Sequence, residues 1–256
     1  MTGLTTSSWF HTIDFPDGTS TPGVFDHRAV ATRVPWPERL RGGRCLDVGT
    51  CDGFWAFTME RQGAGEVVAI DVNDGGPFDI ARRTLSSGVK RIDCSVFDLD
   101  PAVHGRFDIV FCGALLIHLR DPIAALERMR DVCDGELVLV DVVDGFLDVV
   151  ARRRPCASLA AVPGQWWRPN SAGLVRMVEV AGFEVVDRGP HAHSPLGAGA
   201  PRASLRRPRT LLGALADALV RARPGSSGLA LFGGLARGGC LRPLRARPRL
   251  PEPRRA

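Results

Sequence analysis

The 256-residue chain has no tyrosine and a single lysine, Lys90. It also lacks any run of the roughly eighteen apolar residues that a membrane-spanning helix requires. Its first residues show no basic stretch leading into a long apolar one, so no secretory signal is expected and the anticipated location is the cytoplasm. No Cys-x-x-Cys pair occurs among the seven cysteines, Cys45, Cys51, Cys94, Cys112, Cys133, Cys156 and Cys240. Free, mostly buried thiols are expected, with no metal site, since His191 and His193 are the one pair at ligand spacing. Basic charge is thus almost wholly arginine, and it is unevenly placed. Residues 1–200 carry 20 Lys+Arg against 26 Asp+Glu, while residues 201–256 carry 13 against 2. An acidic body with a basic, Arg/Pro/Gly-biased tail reflects composition as much as selection for binding, and argues only weakly for RNA.

What is present is a βαβ rhythm. Apolar runs at 44–48, 66–71, 90–94, 107–112 and 136–141 alternate with helical stretches at 53–62, 78–87 and 122–132. Both faces of the strands are apolar, as in a sheet covered on both sides. Asn170 is placed to cap a helix through Ala181, Gly182 to end it, and Phe183–Asp187 to form a further strand. The expected fold is α/β, a doubly wound, mostly parallel Rossmann-like sheet. Residues 1–42 form an extension or lid and residues 43–197 the catalytic domain. Residues 198–256 form a tail, largely disordered, with an apolar helical face at Leu211–Ala222. No convincing terminal strand stands out; Leu229–Phe232 is the best candidate.

The most informative segment is Arg44–Phe57, where an apolar strand enters a glycine turn and then a helix. Gly49 and Gly53 can take backbone angles closed to other residues, and the helix aims free N–H groups at a ligand. Asp47 and Asp52 argue against a phosphate there, whereas a cofactor with a sulfonium, an ammonium and ribose hydroxyls suits carboxylates. S-adenosylmethionine meets that description. Asp71, ending the second strand about twenty residues on, suits a ribose diol, though dinucleotide binders place an acid there too. The loop Gly49-Thr50-Cys51-Asp52-Gly53 lacks their Gly-x-Gly-x-x-Gly spacing. It resembles motif I of class I methyltransferases, Asp-x-Gly-x-Gly-x-Gly, with Cys51 at the middle glycine.

Ligands gather at the carboxyl ends of strands in such sheets. The donor-binding candidates are therefore Asp47, Gly49, Thr50, Gly53, Asp71, Val72, Ser95, Val96 and Gly113. Ser95 and the Val96 backbone are assigned to the adenine edge, with Asp98 as an alternative; Asp47 either holds the loop or meets the ammonium. His118 is the catalytic candidate, a base for a hydroxyl acceptor, or else a structural histidine. His11 is a candidate for a lid. Trp166, Trp167 and Arg168 either grip an aromatic or anionic acceptor or form a packed aromatic bridge.

The segments Trp9-Phe-His-Thr-Ile13, Thr21-Pro-Gly23, the motif I loop and His118-Leu-Arg-Asp-Pro122 together resemble a bacterial class I methyltransferase group. This group is similar to the wobble-uridine tRNA methyltransferases that use carboxy-S-adenosylmethionine, over roughly residues 8–195. In those enzymes a tyrosine precedes the histidine and helps bind the extra carboxylate, and the C-terminal strand supplies an arginine. Ile117 stands at the tyrosine position here, which implies ordinary S-adenosyl-L-methionine as donor. The expected function is methyl transfer to a small hydroxylated or carboxylated metabolite. The alternatives are tRNA wobble-uridine modification and a noncatalytic donor-binding protein.

Overall fold

In the computed structural model, residues 8–160, 164–200 and 240–249 are described. Five strands, β1 (Arg44–Val48), β2 (Glu66–Asp71), β3 (Lys90–Asp93), β4 (Phe107–Gly113) and β5 (Cys133–Val143), run parallel. Between β5 and the next long strand lie a hairpin, β6 (Ala157–Leu159) with β7 (Trp167–Pro169), and then β8 (Phe183–Arg188) and β9 (Ala192–His193). A last strand, β10 (Cys240–Pro248), lies antiparallel between β5 and β8. The main sheet has the order β3-β2-β1-β4-β5-β10-β8, with β9 paired to β10. Successive strands are added to one side from β1 to β3 and to the other from β4 onward, so the carboxyl ends of β1 and β4 open the crevice where such folds bind ligands.

The helices are α1 (Arg28–Ala31), α2 (Phe54–Arg61), α3 (Gly76–Thr84), α4 (Pro101–His104), α5 (Pro122–Asp131), α6 (Gly145–Val150) and α7 (Ser171–Val180). Alternation along each strand sends neighbouring side chains to opposite faces. Leu46, Val48, Val110 and Cys112 join a core with Leu126 and Met129 of α5 and Leu174 and Val178 of α7. Cys45, Ile109 and Phe111 face the other way, into a core with Phe54, Trp55 and Phe57 of α2 and Phe78 of α3. The apolar residues of the N-terminal segment, Trp9, Ile13, Val30 and Val34, complete this second core.

The expectation of a loose tail fails at Cys240–Pro248. The Arg and Pro residues there masked an interrupted apolar pattern in which Leu241 is buried on one face of the sheet and Leu244 and Ala246 on the other. Arg245 is neutralised by Glu136 at 3.2 Å and Asp187 at 3.7 Å, which lets an arginine-rich segment enter the sheet. The main sheet thus takes in residues beyond 197. The Leu211–Ala222 helix and the Leu229–Phe232 strand candidate lie outside the described residues.

Candidate active site

The turn after β1 is built on left-handed backbone. Gly49 has φ +76°, Cys51 +52° and Gly53 +91°. Gly53 precedes α2, and a Cβ there would sit 2.4 Å from the buried Phe57 ring and 2.7 Å from Phe78. The Gly49 and Thr50 N–H groups donate to the Ile70 carbonyl at 2.9 and 3.1 Å, pinning the loop to β2. From the end of β2, Asp71 completes the attachment: Oδ2 accepts the Cys51 N–H at 2.8 Å and Oδ1 the Asn73 N–H at 2.9 Å. Asp71 therefore holds the loop and its own turn, and a ribose would share its remaining lone pairs.

Beneath the loop Asp47 is 1% exposed. Burial pushes its carboxyl up to about 7. Its Oδ2, and Oγ1 of Thr50 nearby, are buried with no partner among the described residues. An orphaned buried acceptor is costly unless a ligand donor completes it. The cradle therefore fits a cofactor that brings an ammonium or hydroxyl donor. At the neighbouring strand ends, Val72 is 75% exposed and Val96 packs into the core at 6%. Ser95 spends its side chain accepting the Phe97 N–H at 3.3 Å. Gly113 ends β4, where a Cβ would meet the Trp55 indole nitrogen at 2.8 Å.

Asp52 departs from its expected place beside a cofactor. Its Oδ2 accepts the backbone N–H of Phe10 at 2.9 Å and of His11 at 2.7 Å, and Oδ1 lies 2.5 Å from His11 Nδ1. Both partners of this contact are buried. The glycine loop thereby clamps the N-terminal segment. His11 is engaged in that clamp and is absent from the lining of the cleft described next.

A narrow cleft lies between this segment and the ends of β4, β5 and β10. Phe10, Phe25, Ile117 and Leu241 supply apolar walls, and His27, Gln165, Arg168 and Ser194 its polar groups. His27 is 4% exposed and packs on Trp55 and Phe54. Its Nε2 lies 2.7 Å from Ser194 Oγ, and its Nδ1 has no partner among the described residues. Burial, reinforced by His11, drives its pKa well below the ordinary imidazole range, so it is neutral near pH 7. Below Ile117, Asp141 anchors the loop after β4 by accepting the Leu116 N–H at 2.8 Å.

The structure does not bring the other sequence candidates together here. His118 is exposed, with Nδ1 2.6 Å from the Gly164 carbonyl, while its neighbour Ile117 turns inward. Trp166 donates its backbone N–H to the Ile117 carbonyl at 2.7 Å, and its ring lies under the Arg120 guanidinium at 4.5 Å. Trp167 Nε1 donates to the Arg120 carbonyl at 3.0 Å. The two tryptophans act as the aromatic bridge that fastens the β6–β7 insertion; of the triplet, Arg168 alone lines the cleft. Sequence reading overlooked His27, Gln165 and Ser194. Isolated polar residues carry no periodic signal, and these meet only through tertiary packing.

Residues 27–188 match the family described as "Methyltransferase domain". A tRNA U34 carboxymethyltransferase of Ectopseudomonas mendocina (strain ymp) is 36% identical over 153 residues, covering 57% of this chain and 47% of that protein. Another from Haemophilus influenzae (strain PittEE) is 30% identical over 157 residues, covering 59% and 48%. The chain thus spans about half the length of these curated relatives. Among solved structures, the N-terminal domain of EvdMO1, in the presence of SAH and D-fucose, superposes with TM-score 0.59 at 18% identity, covering 96% of this chain and 94% of that one. The [4+2]-cyclase SpnF gives 0.55 at 22% identity, covering 87% and 79%. At such identities the likeness concerns fold alone.

Proposed function

The chain belongs to the methyltransferase-domain family, and from that premise we propose that it transfers a methyl group from S-adenosyl-L-methionine to a small hydroxylated or carboxylated acceptor. The observation that carries this reading is the cradle itself: a left-handed glycine loop over a buried Asp47 whose Oδ2 has no partner. The donor, when bound, supplies an electrophilic methyl on a sulfonium. Gly49, Thr50 and Gly53 would hold it by close backbone approach, Asp47 would balance its positive charge, and Asp71 and Ser95 would flank its nucleoside. Solved neighbours that carry SAH support the same donor.

The chain's own contribution is to orient the acceptor and exclude water. Phe10, held through Asp52, and Phe25, whose N–H donates to the Phe10 carbonyl at 2.9 Å, line the cleft. For a hydroxyl acceptor the base is His27. With the proton on Nε2 and donated to Ser194, Nδ1 presents its lone pair in a dry site. His118 is left to the loop. Ordinary donor is favoured because the cleft shows Ile117 and Leu241, whereas Arg242 of β10 joins His191 and Asp148 at a separate surface site and Arg245 pairs with Glu136.

A second reading, wobble-uridine modification of tRNA, draws on the names of the relatives and on the exposed run Arg152, Arg153 and Arg154 beside the insertion. Calorimetric titration with S-adenosylhomocysteine, S-adenosylmethionine, carboxy-S-adenosylmethionine and NAD separates the cases. Preference for the first two is the expected result. Preference for the carboxylated donor shifts weight to tRNA, and binding of NAD alone overturns the assignment.

A further inference from the structure

One wall of the acceptor cleft holds N–H groups that nothing among the described residues accepts. Gln165 is 4% exposed, and its Nε2 has no partner. Its Oε1 accepts from Arg168 Nη2 at 3.0 Å, which fixes the amide and the guanidinium side by side. Arg168 Nε is likewise buried and unpartnered. Buried donors left unpaired are strongly disfavoured, more so when one belongs to a cation. Among the described residues no Asp or Glu lines this cleft. No ion pair of Arg168 occurs among the described residues, and His27 is held neutral by burial. The guanidinium is therefore the one formal charge among the described lining residues, without a counter-ion, against the apolar surfaces of Phe10, Phe25, Ile117 and Leu241.

We infer that Arg168 and Gln165 form a two-point anchor for a carboxylate, and that the acceptor is a small monocarboxylic acid with an apolar body. The inference rests on the methyl-transfer reading and narrows its acceptor class. The amide and guanidinium N–H groups offer two adjacent donors to the two oxygens of a planar anion, the arrangement in which charge-assisted bonds are strongest. An apolar body would occupy the Phe10–Phe25 side, close to the free nitrogen of His27. The hairpin gives the anchor its rigidity: Arg168 lies opposite Ser158 in the β6–β7 register, and Trp166 ties the strand to Ile117.

The test is calorimetry on full-length protein saturated with S-adenosylhomocysteine, using benzoate, phenylacetate and butyrate, with benzamide as the uncharged control. At least one acid should saturate, benzamide should bind about tenfold more weakly or worse, and Arg168→Met should weaken the acid by about thirtyfold. Gln165→Leu should cost about tenfold, the loss of one buried donor. Affinity for S-adenosylhomocysteine, unchanged in both variants, shows that they fold. Carboxy-S-adenosylmethionine and S-adenosylmethionine are compared in parallel. A preference for the former that disappears in Arg168→Met keeps the anchor but makes the donor the bearer of its carboxylate. If no acid binds and no donor preference depends on Arg168, the anchor is wrong, while retained binding of S-adenosylhomocysteine leaves the methyltransferase reading intact. Failure of the wild type to bind S-adenosylhomocysteine or S-adenosylmethionine overturns that reading instead.

Discussion

Cys51 stands where the resembling motif has glycine, and its φ of +52° shows why glycine is usual there. An L-residue in that region is strained by about 1–2 kcal/mol. Cys51→Val, with branching at Cβ, should lower unfolding stability by a further 1 kcal/mol or so, whereas Cys51→Gly should be close to neutral because folded-state relief offsets added unfolded-state freedom. Urea melts of the two variants check this. The thiol itself should alkylate slowly with iodoacetamide, since burial raises its pKa far above the usual range. The two histidines offer another contrast. His27→Asn should slow turnover of a hydroxyl acceptor by about a hundredfold or more. His118→Ala, at an exposed position bonded to a carbonyl, should leave the rate nearly unchanged; equal losses in steady-state assays would remove His27 from the role of base.

Among the elements, β10 matters most for what can be cut away. It pairs with β5 from Cys240 to Ala246 and with β8 from Leu244 to Pro248, so its removal exposes two strand edges at once. Truncation after residue 200 should therefore give aggregated or unfolded protein. Leu244→Asp, which buries an unpaired carboxylate at a site 1% exposed, should cost at least about 3 kcal/mol. A soluble, cooperatively melting truncation would show that β8 can find another partner. The strands were legible in the sequence where apolar residues run unbroken, as in β4 and β5. They were illegible in β10, where Arg242, Pro243, Arg245 and Arg247 imitate a disordered composition until Glu136, Asp187 and Glu184 neutralise two of the arginines.

At the scale of the whole molecule, the N-terminal segment and the glycine loop are one cooperative unit through Asp52. Asp52→Ala strands the N–H groups of Phe10 and His11 together with the His11 ring, and should cost about 3–5 kcal/mol. Limited proteolysis near residues 10–25 should accelerate, with weakened donor binding. Stability should also carry an unusual pH signature. Burial raises Asp47 and Asp141 from 3.8 to about 7. Between roughly pH 4 and 7 the folded state holds protons that the unfolded state has lost, so this contribution falls as pH rises and is constant above that window. His27 acts in the opposite sense below its ordinary value, because unfolding frees it to take a proton. Comparing wild type with Asp47→Asn isolates the first effect: the variant should melt a few degrees higher at pH 8 without donor, and the difference should shrink towards pH 5.

The sequence by itself determined the sheet's parallel half, the glycine loop and the acids that flank it, because each is written in contiguous residues with a fixed period or spacing. It also shows Ile117 where the tRNA methyltransferases that it resembles have a tyrosine. Only tertiary structure decided that Asp52 grips the N-terminal segment rather than a ligand, that His27 rather than His118 faces the cleft, and that Gln165 joins Arg168 with its remaining donors unpaired. The first relation links residues 41 and 42 positions apart, and the others turn on which way side chains in or beside the loops point. No local pattern encodes either; they arise when burial forces each polar group to find a partner or go without one.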